Sequence, residues 1–304
     1  PRFCGQTFSE GKDKALGLAC VEAYNNWIVE EWCGDSKGRL IPVCLIPLWD
    51  VNLAVAEIRR NAARGVTAVA YSEIPAVLGL PSIHSGYWDP FFAVCEETNT
   101  TICMHIGSSS RMPATSPDAP PSVTATLGFG GAMMSVVDFM WSGVLVKFPK
   151  LKLSYAESQM GWLPYILERI DDVWEDNQGW AQTKHIPEPP SSYFHKNMWM
   201  SFFKDQTGID KDLDVRRNGG LRQHQLVSDL VDVARSMAGQ KLKNPDPYLA
   251  GQAFQDILPL QRVYDDDLVG HDRLIIGFPG LYQGFGCFHR ALILFGAGGH
   301  PCHR

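Results

Sequence analysis

Hydrophobic positions follow two alternating periods along roughly the first two hundred residues of the chain. Short apolar runs of strand length alternate with stretches in which apolar residues recur every three or four positions, a spacing typical of helices that face a core. The predicted strands cover 40–48, 66–71, 100–106, 151–156 and 197–203. The predicted helices cover 13–33, 51–62, 89–98, 123–147 and 162–173. This alternation predicts an α/β protein with a parallel sheet and right-handed crossovers.

The favoured architecture is a (β/α)8 TIM barrel, and an open doubly wound sheet is the alternative. Such a barrel needs eight strands, and the pattern offers about five. We therefore predict an incomplete α/β barrel over residues 1–210.

The pattern changes character near Val215. Residues 211–304 lose the strand and helix rhythm, although Leu274–Ile276 is a candidate strand, and the chain ends in a Gly-rich stretch. Two interpretations stay open for this region. It is a divergent helical extension, or the reading frame breaks near Asp210–Val215.

Composition narrows the range of partners. Asp and Glu outnumber Lys and Arg by 33 to 27, and no basic block is present, which argues against nucleic acid as a partner. No apolar run approaches the length that spans a bilayer, which argues against a membrane protein. The eight cysteines form no CxxC pair, and Cys44, Cys95 and Cys103 fall on apolar segments. They predict reduced core thiols and a cytoplasmic location.

Two predicted strands end in side chains that can do chemistry. The strand over 100–106 carries His105 at its end and leads into a Gly/Ser loop, and the strand that begins at Leu151 finishes with Glu157. Catalytic groups of β/α barrels lie at the carboxyl ends of strands. We therefore predict that His105 and Glu157 face one mouth, within roughly 10 Å of each other. The alternative for His105 is a structural role in which it caps its strand.

The Ser- and Pro-rich loop over 107–121 supplies candidates for substrate binding. Arg111 has the fork geometry that binds a carboxylate through two hydrogen bonds, and His84 is predicted to line the same mouth. The alternative is an ordinary surface loop.

Several local motifs occur together along this part of the chain. They are Trp-Asp-Pro at 88–90, Glu-Glu at 96–97, Met-His-Ile-Gly at 104–107, Phe-Pro-Lys-Leu-Lys-Leu-Ser-Tyr-Ala-Glu at 148–157 and Gly-Trp-Leu-Pro-Tyr-Ile-Leu-Glu-Arg-Ile-Asp at 161–171. In combination they resemble the amidohydrolase-related family, in the branch of enzymes like aminocarboxymuconate-semialdehyde decarboxylase. The resemblance covers roughly residues 1–210. It implies a metal-dependent TIM barrel that hydrolyses, or decarboxylates without oxidation, a small carboxylated or aromatic substrate.

The resemblance also implies roles for the two strand-end residues. His105 matches the metal ligand that ends a middle strand, and the metal is expected to be Zn²⁺, with Mn²⁺ as the alternative. Glu157 stands where the family commonly has a histidine, so a carboxylate would act there as a base or a ligand. The family's HxH pair would precede Pro1, and no late Asp of the family type follows Val215. We therefore interpret the sequence as truncated at its N-terminus and divergent after Val215.

The sequence thus predicts a metal-dependent amidohydrolase-like enzyme of small-molecule metabolism. The alternative is an inactive relative or fragment that no longer binds metal, because one His and one Glu supply fewer ligands than a catalytic zinc site uses. Trp180 and Trp199 are predicted to be exposed and to favour a homo-oligomer.

Overall fold

The structure is a computed structural model that describes residues 2–203 and 205–209, together with the short backbone segments 275–277 and 292–294. The segment Ile275–Gly277 is a strand, which confirms a strand at the predicted position. It pairs with Leu292–Leu294 in a two-stranded sheet. The other expectations for 211–304 lie outside the described residues.

A five-stranded parallel sheet forms the centre of the fold. Its strands are β1 (Val43–Cys44), β2 (Ala68–Tyr71), β3 (Thr101–His105), β4 (Leu153–Ala156) and β5 (Met198–Met200). They lie side by side in chain order, and each pair is parallel. A doubly wound sheet reverses its strand order at a switch point, whereas a barrel adds each strand to the same side. The observed order therefore agrees with the barrel and not with the alternative.

Two helices precede β1, and the others connect successive strands. In chain order, the helices are α1 (Gln6–Glu10), α2 (Lys14–Trp27), α3 (Val51–Ala62), α4 (Asp89–Glu97), α5 (Pro121–Thr126), α6 (Gly130–Trp141), α7 (Val144–Lys147), α8 (Leu163–Asp176) and α9 (Ser191–Asn197). A π-helical segment, Ile28–Trp32, extends α2, so the predicted helix over 13–33 is confirmed in its extent.

The single helix predicted over 123–147 is wrong, because the segment forms the three helices α5, α6 and α7. Gly143 has a φ of +75° and precedes α7 in the left-handed conformation. Glycine adopts this conformation without the steric cost that a Cβ imposes, so the chain turns there instead of continuing one helix. The helical spacing of apolar residues continues across the break between α6 and α7, so the sequence pattern gave no sign of it.

The strand predicted over 40–48 is also too long. Pro42 and Pro47 flank β1, and proline has no N–H to donate to a neighbouring strand. Between them, the backbone N–H and C=O of Leu45 bond to the side-chain amide of Asn25 on α2, at 2.8 and 2.9 Å. The helix therefore satisfies the backbone groups that a longer strand would have used.

The core lies on both faces of the sheet. All residues of β2, β3 and β4 are buried, as expected for parallel strands covered by helices. Tyr71 of β2 packs against Trp88 and Phe91, with ring centroids 5.2 and 4.9 Å apart.

The burial of individual side chains was only partly predicted. The three cysteines expected in the core, Cys44, Cys95 and Cys103, are buried and form no disulfide. Trp180 is exposed, but Trp199 lies on β5 and is only partly exposed, so the prediction for that residue is wrong. In the described part of the chain, no helix is long and apolar enough to cross a bilayer.

Candidate active site

His105 is the last residue of β3, and its side chain is largely buried. Its Nδ1 lies 2.7 Å from the carbonyl oxygen of Ile106. A carbonyl oxygen can only accept a hydrogen bond, so Nδ1 carries the proton in this arrangement. In the neutral ring, Nε2 then presents a lone pair toward the mouth of the sheet.

Glu157 follows β4 directly, in a strained backbone conformation. The strand ends at Ala156, and Glu157, the next residue, has a φ of +57°. Residues other than glycine adopt this conformation at a cost, and such strain is concentrated at functional sites. Its N–H donates to Oγ of Ser201, at 3.1 Å, and the N–H of Ser158 donates to the carbonyl of Ser201. The segment after β5 thus holds Glu157 in place.

The two strand-end side chains meet. Nε2 of His105 lies 3.4 Å from Oε2 of Glu157, which confirms the predicted proximity. With Nδ1 protonated, these two atoms are both acceptors while the ring is neutral, so a proton or a metal ion between them converts repulsion into attraction. The arrangement can therefore hold a cation or exchange a proton.

An aromatic ring covers one face of the imidazole. Phe3 stacks on His105 with centroids 4.1 Å apart and planes inclined by 7°. The segment carrying Phe3 is tied to the loop after β3, because the Cys4 thiol donates to the carbonyl of Ser108 and the Gln6 amide donates to the carbonyl of Gly107. The stacked ring of Phe3 therefore limits the rotation of the His105 ring.

A third carboxyl group, Glu73, follows β2 and was not predicted from the sequence. It is 2% exposed, and its Oε2 accepts the N–H of Gly107 at 3.0 Å. Burial raises the pKa of Glu73 to about 8, although the backbone N–H groups of Gly107 and Ser108 act in the opposite direction. The signal that could have found it is the one that found His105 and Glu157, a polar residue just beyond a buried strand.

Serine side chains join the ends of β2 and β3. The N–H of Glu73 donates to Oγ of Ser108 at 2.9 Å, and the N–H of Ile74 donates to Oγ of Ser109 at 3.0 Å. The first part of the Gly/Ser loop therefore fixes two strand ends relative to each other.

The two predicted substrate-binding residues take no part in the hydrogen bonds described above. Nε2 of His84 lies 2.6 Å from Oδ1 of Asp138 on α6, in an exposed pair beside an apolar groove lined by Met134 and Trp141. Arg111 is exposed in the loop after β3. Their roles toward a substrate stay predictions.

The donors present fit a divalent metal in kind but not in number. The 3.4 Å between Nε2 and Oε2 equals the edge of a tetrahedron with bonds of about 2.1 Å, the length of zinc bonds to these atoms. Within residues 2–203 and 205–209, however, no group of three or more His, Cys, Asp and Glu side chains could hold a metal ion. Among the described residues, this pair therefore offers two of the donors that a metal site would need.

The chain is similar in sequence and in structure to known proteins. A family model described as amidohydrolase matches residues 7–205, whereas no curated protein matches the chain. An amidohydrolase from Mycobacterium avium subsp. paratuberculosis K-10 superposes with a TM-score of 0.55 and 23% identity, over 67% of this chain and 53% of that chain. The 5-carboxyvanillate decarboxylase from Sphingomonas paucimobilis superposes with a TM-score of 0.53 and 17% identity, over 64% of this chain and 56% of that chain.

A third solved structure is a dihydroxybenzoic acid decarboxylase from Polaromonas sp. JS666, with bound manganese and the inhibitor 2-nitroresorcinol. It gives a TM-score of 0.50 and 20% identity, over 67% of this chain and 63% of that chain. The chain thus spans little more than half the length of the first two structures. These likenesses confirm the β/α barrel fold. Since the family model covers more than half of the sequence, the chain belongs to the amidohydrolase family.

Proposed function

We propose that this protein is a metal-dependent amidohydrolase-like enzyme that hydrolyses, or decarboxylates without oxidation, a small carboxylated or aromatic substrate. The observation that carries the proposal is the pairing of His105 Nε2 with Glu157 Oε2, 3.4 Å apart at the carboxyl ends of adjacent strands. Strand ends at this face are where β/α barrels build their catalytic sites.

The roles of the pair follow from its chemistry. Glu157 is a carboxylate with limited exposure, which suits it to take a proton from water or to return one to the substrate. His105, with its Nδ1 proton held by the Ile106 carbonyl, directs Nε2 at the same point in space. Arg111, on the loop after β3, would bind the carboxylate of the substrate through its guanidinium group.

His105 and Glu157 are the two described residues that would hold a divalent ion, zinc or manganese. When bound, such an ion polarises a carbonyl or carboxylate oxygen. Two donors alone hold an ion weakly compared with the three or more protein ligands of catalytic zinc sites. We therefore expect the activity to depend on added metal.

The neighbouring structures suggest substrates for the test. With Mn²⁺ or Zn²⁺ added, the chain is assayed on 2,6-dihydroxybenzoate and 5-carboxyvanillate for loss of the carboxyl group, and on aryl esters, lactones and amides for hydrolysis. We expect turnover on one of these classes that falls at least about a hundredfold in Glu157→Gln, the scale of general acid–base catalysis. His185→Ala, which alters an exposed histidine bonded to the Trp141 carbonyl, is the matched control. Turnover that is equal in Glu157→Gln and wild type would overturn the proposal.

A second candidate function is that of an inactive relative that no longer binds metal. Two observations favour it. Phe3 covers a face of the His105 ring, and the described residues form no group of three metal donors. This candidate predicts no turnover on any substrate class with either metal, and no change of that result when Phe3→Ala uncovers the ring.

A further inference from the structure

One peptide group joins the imidazole of His105 to the carboxyl group of Glu73. The carbonyl oxygen of Ile106 accepts the Nδ1 proton of His105 at 2.7 Å. The N–H of the same peptide group, which belongs to Gly107, donates to Oε2 of Glu73 at 3.0 Å. The two bonds lie at opposite ends of one conjugated unit, so each polarises the peptide in the sense that strengthens the other.

Glu73 is itself held by two elements of the fold, the loop after β3 and helix α6. Its backbone N–H donates to Oγ of Ser108, and its backbone carbonyl accepts from Oγ of Ser135 on α6, at 2.6 Å. Gly131 of α6 faces the carboxyl group so closely that a Cβ at this position would lie 3.0 and 3.1 Å from the two oxygens. A side chain at position 131 would require the carboxyl group to shift by a few tenths of an ångström.

We propose that Glu73 is a positioning residue that acts through the Ile106–Gly107 peptide group to keep His105 in its Nδ1–H tautomer, with Nε2 aimed at Glu157. The proposal rests on the function proposed above, since it gives the tautomer a purpose. Histidines that bind metals commonly donate their second ring N–H to a carbonyl or carboxylate, which fixes the ring. In this chain, the carbonyl that does so is anchored in turn by a buried carboxyl group.

The protonation state of Glu73 is compatible with this role. Burial raises its pKa to about 8, so the group is mainly neutral at pH 7, and the oxygen without the proton still accepts the N–H of Gly107. The other oxygen, Oε1, has no hydrogen-bond partner among the described residues. The side chain therefore contributes as an acceptor of backbone N–H groups, and the carbonyl oxygen of glutamine can do the same.

The test reads the tautomer directly. Two-bond ¹H–¹⁵N spectra of the histidine rings are recorded at about pH 7.5, where an ordinary imidazole is mainly neutral and Glu73 still holds most of its proton. The spectrum of His105→Ala identifies the signal. We expect His105 to be mainly Nδ1–H in wild type and in Glu73→Gln. In Glu73→Met, which has similar length but no acceptor, nothing anchors the Ile106–Gly107 peptide group, and the Nδ1–H to Nε2–H ratio should fall. The fall can reach about fivefold, the ratio supported by the net hydrogen bond from Nδ1 to the Ile106 carbonyl.

Ser135→Ala is the matched control, because it removes a buried bond to the Glu73 backbone without touching the carboxyl group. We expect it to keep the wild-type tautomer. An unchanged ratio in Glu73→Met would overturn the proposal, and so would an equal fall in Ser135→Ala or in Glu73→Gln. The spectra need no turnover: an inactive chain with the expected shift contradicts only the proposed function, and an active chain without it contradicts only the role of Glu73.

Discussion

At the scale of single residues, the site depends on three polar side chains that follow buried strands. The proximity of His105 and Glu157 could be predicted, because carboxyl ends of neighbouring parallel strands meet at one edge. Glu73 follows the same rule, but its importance comes from burial and from its bond to Gly107, and neither is visible in a sequence. The stacking of Phe3 on His105 joins residues far apart in the chain and has no local signal.

The backbone of Glu157, with a φ of +57°, is strained, and we expect this strain to lower the stability of the protein. Replacing Glu157 with glycine should relieve that strain and raise the free energy of unfolding by about 1 kcal/mol, while abolishing turnover. Urea denaturation and the assay described above measure the two effects. Gln182→Gly, at an exposed residue with a φ of +54°, should stabilise without affecting turnover. A less stable Glu157→Gly variant would show that the conformation is not strained.

At the scale of elements, prediction succeeded where local signals agreed. Helix α3 begins at Val51 as expected, because the Asp50 carboxylate accepts the N–H groups of Asn52 and Leu53. The chain after it turns at Gly65, whose φ is +84°. The errors in 40–48 and 123–147 arose where prolines, glycines and a distant side-chain amide overrode an apolar pattern.

A buried polar network joins helices α2 and α3, and we expect it to stabilise the packing of these two elements. Glu57 is 4% exposed and accepts hydrogen bonds from Asn25, Asn61 and Arg60. Burial alone would raise the pKa of Glu57, but these bonds outweigh it and lower the pKa. Glu57→Ala should cost about 3 kcal/mol of unfolding free energy in urea titrations, because it leaves buried partners unsatisfied.

The control for this network is the exposed pair of Arg59 on α3 and Glu97 on α4. Glu97→Gln should change stability little, because solvent screens an exposed ion pair. Equal losses in Glu97→Gln and Glu57→Ala would contradict the idea that burial makes the Glu57 network important.

At the scale of the whole molecule, the order of the strands was the robust prediction. Each of the five strands adds beside its predecessor, as a barrel requires. Strand and helix periodicity suffices for this, because right-handed crossovers leave few other arrangements. The identity of further donors at a metal site could not be predicted in the same way, since such donors come from strands distant in sequence.

The pH dependence of global stability tests the burial of Glu73. Burial raises its pKa from an ordinary value of 4.5 to about 8 in the folded protein. Between these values the folded chain keeps a proton that the unfolded chain releases, so the free energy of unfolding falls as pH rises, by up to about 1.4 kcal/mol per pH unit. Glutamine does not titrate, so Glu73→Gln lacks the fall in unfolding free energy that comes from this proton. Urea titrations from about pH 5 to 8 should give wild type the steeper fall, and parallel curves would contradict the raised pKa.

The central claim is that His105 and Glu157 together form the centre at which a divalent ion and the substrate bind. The most direct test is titration of the chain with Mn²⁺, following the loss of the free-ion electron paramagnetic resonance signal. The account predicts binding to wild type and to His185→Ala, and affinity weakened more than about tenfold in both His105→Ala and Glu157→Ala. Equal Mn²⁺ affinity in wild type and in His105→Ala would contradict it.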